Sequence, residues 1–225
     1  MNPIDRPIWS ALGTMHAGFS AGGDQARRYM PRFNVFGSAR DDSKAAQAAL
    51  AGLIKPGERL VILQAPPIVV PPGFKTVLAA MGVQMVATRD LRQEAAAHGL
   101  DVLTDDDAPE MLALARMTEP GPFVEQTHRL GRFLGVRSEG ALIAMAGERF
   151  RMPGFTEVSA VCTHPDHRGR GLARLLSTAV AAHIQARGDV PFLHAWAINR
   201  PAIRLYEMLG FSLRTNVHIA MLGRD

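Results

Sequence analysis

Between Phe155 and Ile184 the hydrophobic period of the chain changes once, across a single glycine-bearing loop, and few folds accommodate that change. Phe155–Thr163 has the length and composition of a strand. Beyond it, Leu172, Leu175, Leu176, Ala179, Val180 and Ile184 recur at the spacing of one helix face. The connection runs Val161-Cys162-Thr163-His164-Pro165-Asp166-His167-Arg168-Gly169-Arg170-Gly171. Gly169 and Gly171 allow the backbone to approach a ligand closely. The helix that follows presents unpaired N–H groups and the positive end of its dipole. Together these suit phosphate oxygens, and Arg168 and Arg170 add positive charge. The spacing is neither the G-x-x-x-x-G-K-[ST] of a P-loop nor G-x-G-x-x-G, so on physical grounds alone the loop is a weak signal.

The surrounding pattern gives the loop a context. Helices are expected at residues 108–118 and 123–130, separated by Glu119-Pro120-Gly121-Pro122. Strands are expected at 132–137, 141–150 and Phe155–Thr163, joined by short turns as an antiparallel meander. After the amphipathic helix come a strand at 192–198, a helix at 201–209 stopped by Gly210, and closing strands at 211–214 and 217–222. Asp105-Asp106-Asp107 reads as a solvated helix start, with Asp107 as cap and Pro109 in the first turn. The first hundred residues form a weaker α/β pattern. A helix is expected behind Ser43, a strand at residues 60–63, an edge or interrupted strand at Ile68-Val69-Val70, a short helix at 74–81, and a strand at 83–88. A boundary is expected near His98-Gly99, dividing residues 1–100 from 101–225. No catalytic constellation is visible before it, and His16 and His98 stand alone.

Composition narrows the functional classes. A chain of 225 residues with 47% hydrophobic and 20% charged residues can build a sizeable core and is not intrinsically disordered. The net charge, 25 − 21 = +4, fits an anionic small ligand better than nucleic acid. Cys162 is the single cysteine, which excludes an intrachain disulfide and fits a reducing compartment. His164 and His167 form H-x-x-H beside a proline without further ligands, so no metal is expected. No basic start followed by an apolar stretch is present, and nowhere do about 20 apolar residues run together. A cytoplasmic protein without membrane contact is the expectation.

The segment Arg168-Gly169-Arg170-Gly171-Leu172-Ala173 resembles the Q/R-x-x-G-x-G/A signature of the GNAT superfamily of N-acetyltransferases. Asn199-Arg200-Pro201-Ala202-Ile203-Arg204-Leu205-Tyr206-Glu207-Met208-Leu209-Gly210-Phe211 is similar to the N-x-x-A-x-x-L-Y-x-x-x-G-F ending common in the same superfamily. The two motifs are ordered and about thirty residues apart. The resemblance covers residues 102–222 and is greatest for the FR47-like branch, in which the N-terminal half often resembles a degenerate second copy of the fold. It implies an α/β fold of the α+β kind, with a mixed, mainly antiparallel sheet flanked by helices.

The resemblance also implies roles. Arg168, Gly169, Arg170, Gly171, Leu172 and Ala173 would bind the pyrophosphate of acetyl-CoA. The backbone of Val161, Cys162 and Thr163 would hydrogen-bond the pantetheine arm as an added strand, and the Val161 N–H would polarise the thioester carbonyl. Asn199 would point at the pantetheine arm or, alternatively, cap a helix. Tyr206 would be the general acid for the departing thiolate, and Glu157, on the same strand face as Val161, the general base. The alternatives for these two are a core tyrosine and a structural glutamate. The Cys162 side chain alternates away from the acyl-facing positions, which leaves it as packing rather than a nucleophile. The expected reaction is acetyl transfer from acetyl-CoA to a primary amine by direct attack, with a small amine or amino acid favoured and a peptide N-terminus or lysine second. A non-catalytic acyl-CoA-binding module is the rival. The expected assembly is a monomer or homodimer.

Overall fold

In the computed structural model, which describes residues 2–94 and 99–224, a short helix α1 (Pro7–Leu12) is followed by three small strands, β1 (Ser20–Gly22), β2 (Ala26–Tyr29) and β3 (Gly37–Ala39), paired antiparallel as a sheet of their own. Helix α2 (Lys44–Gly52) starts where Ser43 accepts the Ala46 N–H, an N-cap written into the sequence. Strands β4 (Arg59–Gln64), β5 (Phe74–Ala87) and β6 (Asp101–Leu103) follow, then α3 (Ala108–Thr118). The meander is β7 (Phe133–Ser138), β8 (Ala141–Met152) and β9 (Phe155–Thr163). It leads through the glycine loop to α4 (Leu172–Ala186), β10 (Val190–Trp196), α5 (Arg200–Met208) and β11 (Phe211–Arg224).

The main sheet has eight strands in the order β4-β11-β5-β10-β9-β8-β7-β6. Among the described residues only β9 and β10 are parallel neighbours in this sheet, so the expected mixed, mainly antiparallel sheet is present. On one face α4 and α5 pack over the centre, burying Leu176, Val180, Ile184, Leu209 and Phe211 against Met85, Val158 and Leu193. Each fully buried Leu or Ile there contributes roughly 1.5–3 kcal/mol. The other face carries α1 and a second apolar cluster around Tyr29, Phe36, Phe150 and Phe192. No helix among the described residues is long and apolar enough to cross a membrane.

Several local expectations are corrected. Residues 74–81 are not a helix; they are the first half of the 14-residue β5, which pairs with β11 along its whole length. The reason is tertiary: a partner strand far along the chain overrides weak local preference. The two closing strands are one continuous β11, with an irregularity between Leu213 and Thr215. Residues 123–130 contain only the 3-10 turn Thr127–Leu130, held by Thr127 Oγ1 donating to the Phe33 carbonyl. Ile68, Val69 and Val70 form no strand between their flanking prolines. Asp107 makes no side-chain cap to α3; its carboxylate accepts the Thr104 N–H and pairs with Arg137.

His98, where a boundary was expected, lies outside the described residues. Strands from both sides of residue 100 share the main sheet, with β5 between β10 and β11. His16 is a buried structural residue, placed 2.8 Å from Tyr29 Oη and 2.9 Å from the Leu130 carbonyl.

Candidate functional site

The parallel pairing of β9 with β10 covers only three positions, Phe155 with Val190, Thr156 with Pro191, and Glu157 with Phe192. Beyond Glu157 the two strands part. β9 stays paired with β8 as far as Thr163, and β10 stays paired with β5 as far as Trp196, so the edges that face each other across the gap carry no strand partner among the described residues. An extended ligand can add there as a strand. On β9 the gap coincides with a bulge: Ser159 pairs with Gly147 but Cys162 with Met145, leaving one extra residue. Ala160 takes a left-handed φ of 53° at that point. A bulge re-aims the amides that follow it, here those of Val161 and Thr163, both half-buried.

The glycine loop continues from the end of β9, beyond the gap, into α4. Gly169 and Gly171 have φ of 76° and 75°, conformations that glycine adopts without strain. Gly171 stands at the N-cap of α4 and supplies no side-chain cap. No acceptor for the N–H groups of residues 169–174 exists among the described residues, so the loop and first helical turn present successive free donors to an anion. Arg168 and Arg170 are exposed beside them, and Arg168 Nε donates to the Thr163 carbonyl at 3.4 Å. Leu172 and Ala173 begin the helix with half-buried side chains. His164 Nδ1 accepts from the Asp166 N–H, and the His164 and His167 rings meet edge to face. No group of three or more His, Cys, Asp or Glu suited to a metal occurs among the described residues.

The remaining candidates divide. Asn199 Oδ1 accepts the Ala202 N–H at 3.3 Å and caps α5, so its oxygen is spent on the helix. The Cys162 side chain lies in the apolar cluster beneath α3, where burial pushes its thiol up to about 11. Tyr206 is buried on α5, edge to face with Phe211, in the same cluster that Val161 packs against. Its hydroxyl has no hydrogen-bond partner among the described residues, and burial pushes it up to about 12. It therefore stays protonated through neutral pH.

Glu157 does not share the face of Val161 as the alternation predicted: the extra residue of the bulge at Ala160 shifts the alternation, so Val161 packs towards α4 while Glu157 lies on the opposite face beside Phe192, fully buried and with its carboxylate saturated. Arg149 Nε and Nη2 donate to its two oxygens at 2.7 Å each, and His194 Nδ1 lies 2.6 Å from Oε1. Burial alone would raise its pKa, but the charge and hydrogen bonds of Arg149, with the His194 bond, outweigh that and hold it at about 2. A carboxylate held this way is a poor acceptor for an amine's proton.

His194 is the polar residue that sequence reasoning missed. The alternation along β10 put one histidine on the Phe192 face of an otherwise apolar strand, and that was the only signal available.

Comparison with known proteins follows the same outline. The FR47-like protein family matches residues 133–219. A crystal structure described as an acetyltransferase of the GNAT family, from Novosphingobium aromaticivorans DSM 12444, is 41% identical over the full length of both chains, with a TM-score of 0.94. A GCN5-related N-acetyltransferase from Kribbella flavida, 16% identical, has the same fold over 100% of this chain and 96% of its own, with a TM-score of 0.67. Mycothiol acetyltransferases are similar over shorter stretches. That of Thermobispora bispora is 46% identical over 57 residues, which is 25% of this chain and 19% of its own. That of Thermomonospora curvata is 37% identical over 83 residues, or 36% and 28%. The match thus spans less than a third of the length of these curated relatives.

Proposed function

The chain belongs to the GNAT family of acetyltransferases, and from that premise we propose that it transfers an acetyl group from acetyl-CoA to the primary amine of a small molecule. The observation that carries this reading is the parting of β9 and β10 ahead of a loop of free amides. The slot suits an amide-bearing pantetheine arm, and the loop suits a pyrophosphate. Relatives named for mycothiol, a small molecule, support a small acceptor over a protein one.

In this reading the residues act as follows. The amides of residues 169–174 and the charges of Arg168 and Arg170 hold the pyrophosphate. The backbone of Val161, Cys162 and Thr163 aligns the pantetheine arm, and the Val161 N–H points at the thioester oxygen and stabilises the negative charge that develops there. The amine nitrogen attacks the carbonyl carbon. A C–N bond forms, the C–S bond breaks, and the amine's excess proton leaves to water. Tyr206 gives its hydroxyl proton to the departing thiolate and regains one from solvent. Glu157 anchors the fork of the strands and takes no proton.

Calorimetry with acetyl-CoA, followed by free-thiol detection against a panel of small amines and an N-terminal peptide, tests the proposal. Acetyl-CoA binding with amine-dependent thiol release is the expected result. Absence of acetyl-CoA binding overturns the reading, and release with the peptide alone overturns the small acceptor.

A further inference from the structure

Where β9 and β10 part, six polar side chains form one continuous chain on the face opposite α4. Arg149 of β8 grips Glu157 of β9, and Glu157 meets His194 of β10. His194 Nε2 lies 3.0 Å from Gln84 Nε2 of β5, which also donates to the Ile4 carbonyl at 2.7 Å. Gln84 Oε1 accepts from Arg214 of β11, and Arg214 pairs with Asp5 of the N-terminal turn. The chain joins five adjacent strands at the level where the slot begins.

The partners dictate the protonation of His194. The Glu157 carboxylate can only accept, so Nδ1 carries the proton. Gln84 turns its oxygen to Arg214, so its NH₂ faces His194 and Nε2 must be the lone-pair acceptor. A proton on Nε2 would set two donors against each other. Burial acts in the same sense and lowers the pKa of His194, against the opposing pull of Glu157. The charged groups that face this ring are Glu157 from β9, Arg149 from β8 and Arg214 from β11, with Asp5 behind Arg214. The ring is locked neutral, with its side chain 4% exposed.

The bond between Glu157 and His194 stands where backbone pairing stops. Phe192 and Glu157 are the last paired residues, and His194 is two positions further along the diverging strand. We propose that His194, Gln84 and Arg214 are positioning residues that, through Glu157, set the angle at which β9 and β10 diverge and so the width of the slot that receives the acyl thioester. This rests on reading the slot as the acyl-donor site. It assigns the ring no part in moving the amine's proton.

Two substitutions at one position separate positioning from proton transfer. His194→Leu leaves Glu157 and Gln84 each short of a partner, and a buried unpaired group costs enough to relax the fork. Acetyl-CoA affinity, read by calorimetry, is expected to fall about tenfold or more. His194→Gln offers one donor and one acceptor but does not titrate. It is expected to recover affinity and turnover to within about threefold of the native enzyme, with the pH profile of kcat unchanged. If His194→Gln binds acetyl-CoA normally yet loses about 100-fold in kcat and the acidic limb of the profile, His194 is the base and the proposal is wrong. A folded His194→Leu with native affinity and turnover also overturns it. Should His194→Leu fail to fold, Gln84→Ala removes the amide and leaves the Glu157 ion pair. Weakened acetyl-CoA binding then supports the proposal, and native binding refutes it. Absence of binding by the native chain would strike the acyl-donor reading itself, and this inference with it.

Discussion

Gly171→Glu separates the two physical requirements of the anion loop, backbone conformation and charge. Gly171 sits at φ 75°, where an L-residue is strained by roughly 1–2 kcal/mol. A Cβ built there meets no heavy atom within 4 Å, so the substitution brings strain without a clash. Gly171→Ala therefore carries the conformational cost alone. Gly171→Glu adds a carboxylate beside the amides that face the pyrophosphate. At about 4 Å a pair of like charges repels by about 1 kcal/mol in water and about 4 kcal/mol at an effective dielectric constant of 20. Taking about 2 kcal/mol for this exposed loop gives roughly a 30-fold loss of acetyl-CoA affinity beyond the alanine variant. Isothermal calorimetry on the two variants reads the difference, and thermal melting shows that they lose similar stability. The difference should narrow as salt is raised, because the Debye length contracts from about 10 Å at 0.1 M towards about 3 Å at 1 M. Equal affinities for the two variants, or a difference indifferent to salt, would refute the assignment of the loop to a phosphate group.

Tyr206→Phe keeps the ring against Phe211 and removes only the hydroxyl, so acetyl-CoA affinity should hold while kcat falls about 100-fold in steady-state assays; a native kcat would return Tyr206 to core packing. His16 is held down to about 4, chiefly by burial, against 6.5 in the unfolded chain. The unfolded form therefore binds more protons between these values: the stability that neutral His16 contributes is complete above about 6.5 and is lost as pH falls through 4, amounting to about 3 kcal/mol. Urea titrations at pH 7 and pH 5 should show about 2 kcal/mol of it, and a slope that persists in His16→Gln would point to another group. Arg149→Ala strands the fully buried Glu157 and should cost about 3–5 kcal/mol in chemical denaturation; a loss under about 1 kcal/mol would mean that Glu157 becomes protonated at little cost.

The elements that could be read in advance are those whose signal is local. Ser43 announces α2, the short turns around Glu139 and Gly154 announce the meander, and the spacing from Leu172 to Ile184 announces α4. The strand half at residues 74–81 could not be read, because it is specified by its pairing with residues 218–224 of β11, far along the chain. The bulge at Ala160 was hidden for a similar reason: nothing in Val158-Ser159-Ala160-Val161 marks a left-handed alanine, and only the register against β8 reveals it. At Asn199 the sequence left two readings open, and the hydrogen bond from the Ala202 N–H takes its oxygen for the helix cap.

The sequence by itself marked a glycine loop before an amphipathic helix and an Asn-to-Phe motif as candidate segments, because these are properties of consecutive residues. It offered Glu157 as a candidate base on the same strand as Val161. Only the tertiary structure decided what that carboxylate is able to do. Arg149 is eight residues away, His194 thirty-seven, and behind them stand Gln84, Arg214 and Asp5 from both ends of the chain. A side chain's proton affinity depends on the charges and donors packed around it and on its distance from water, and those are set by the folded sheet rather than by neighbours in sequence.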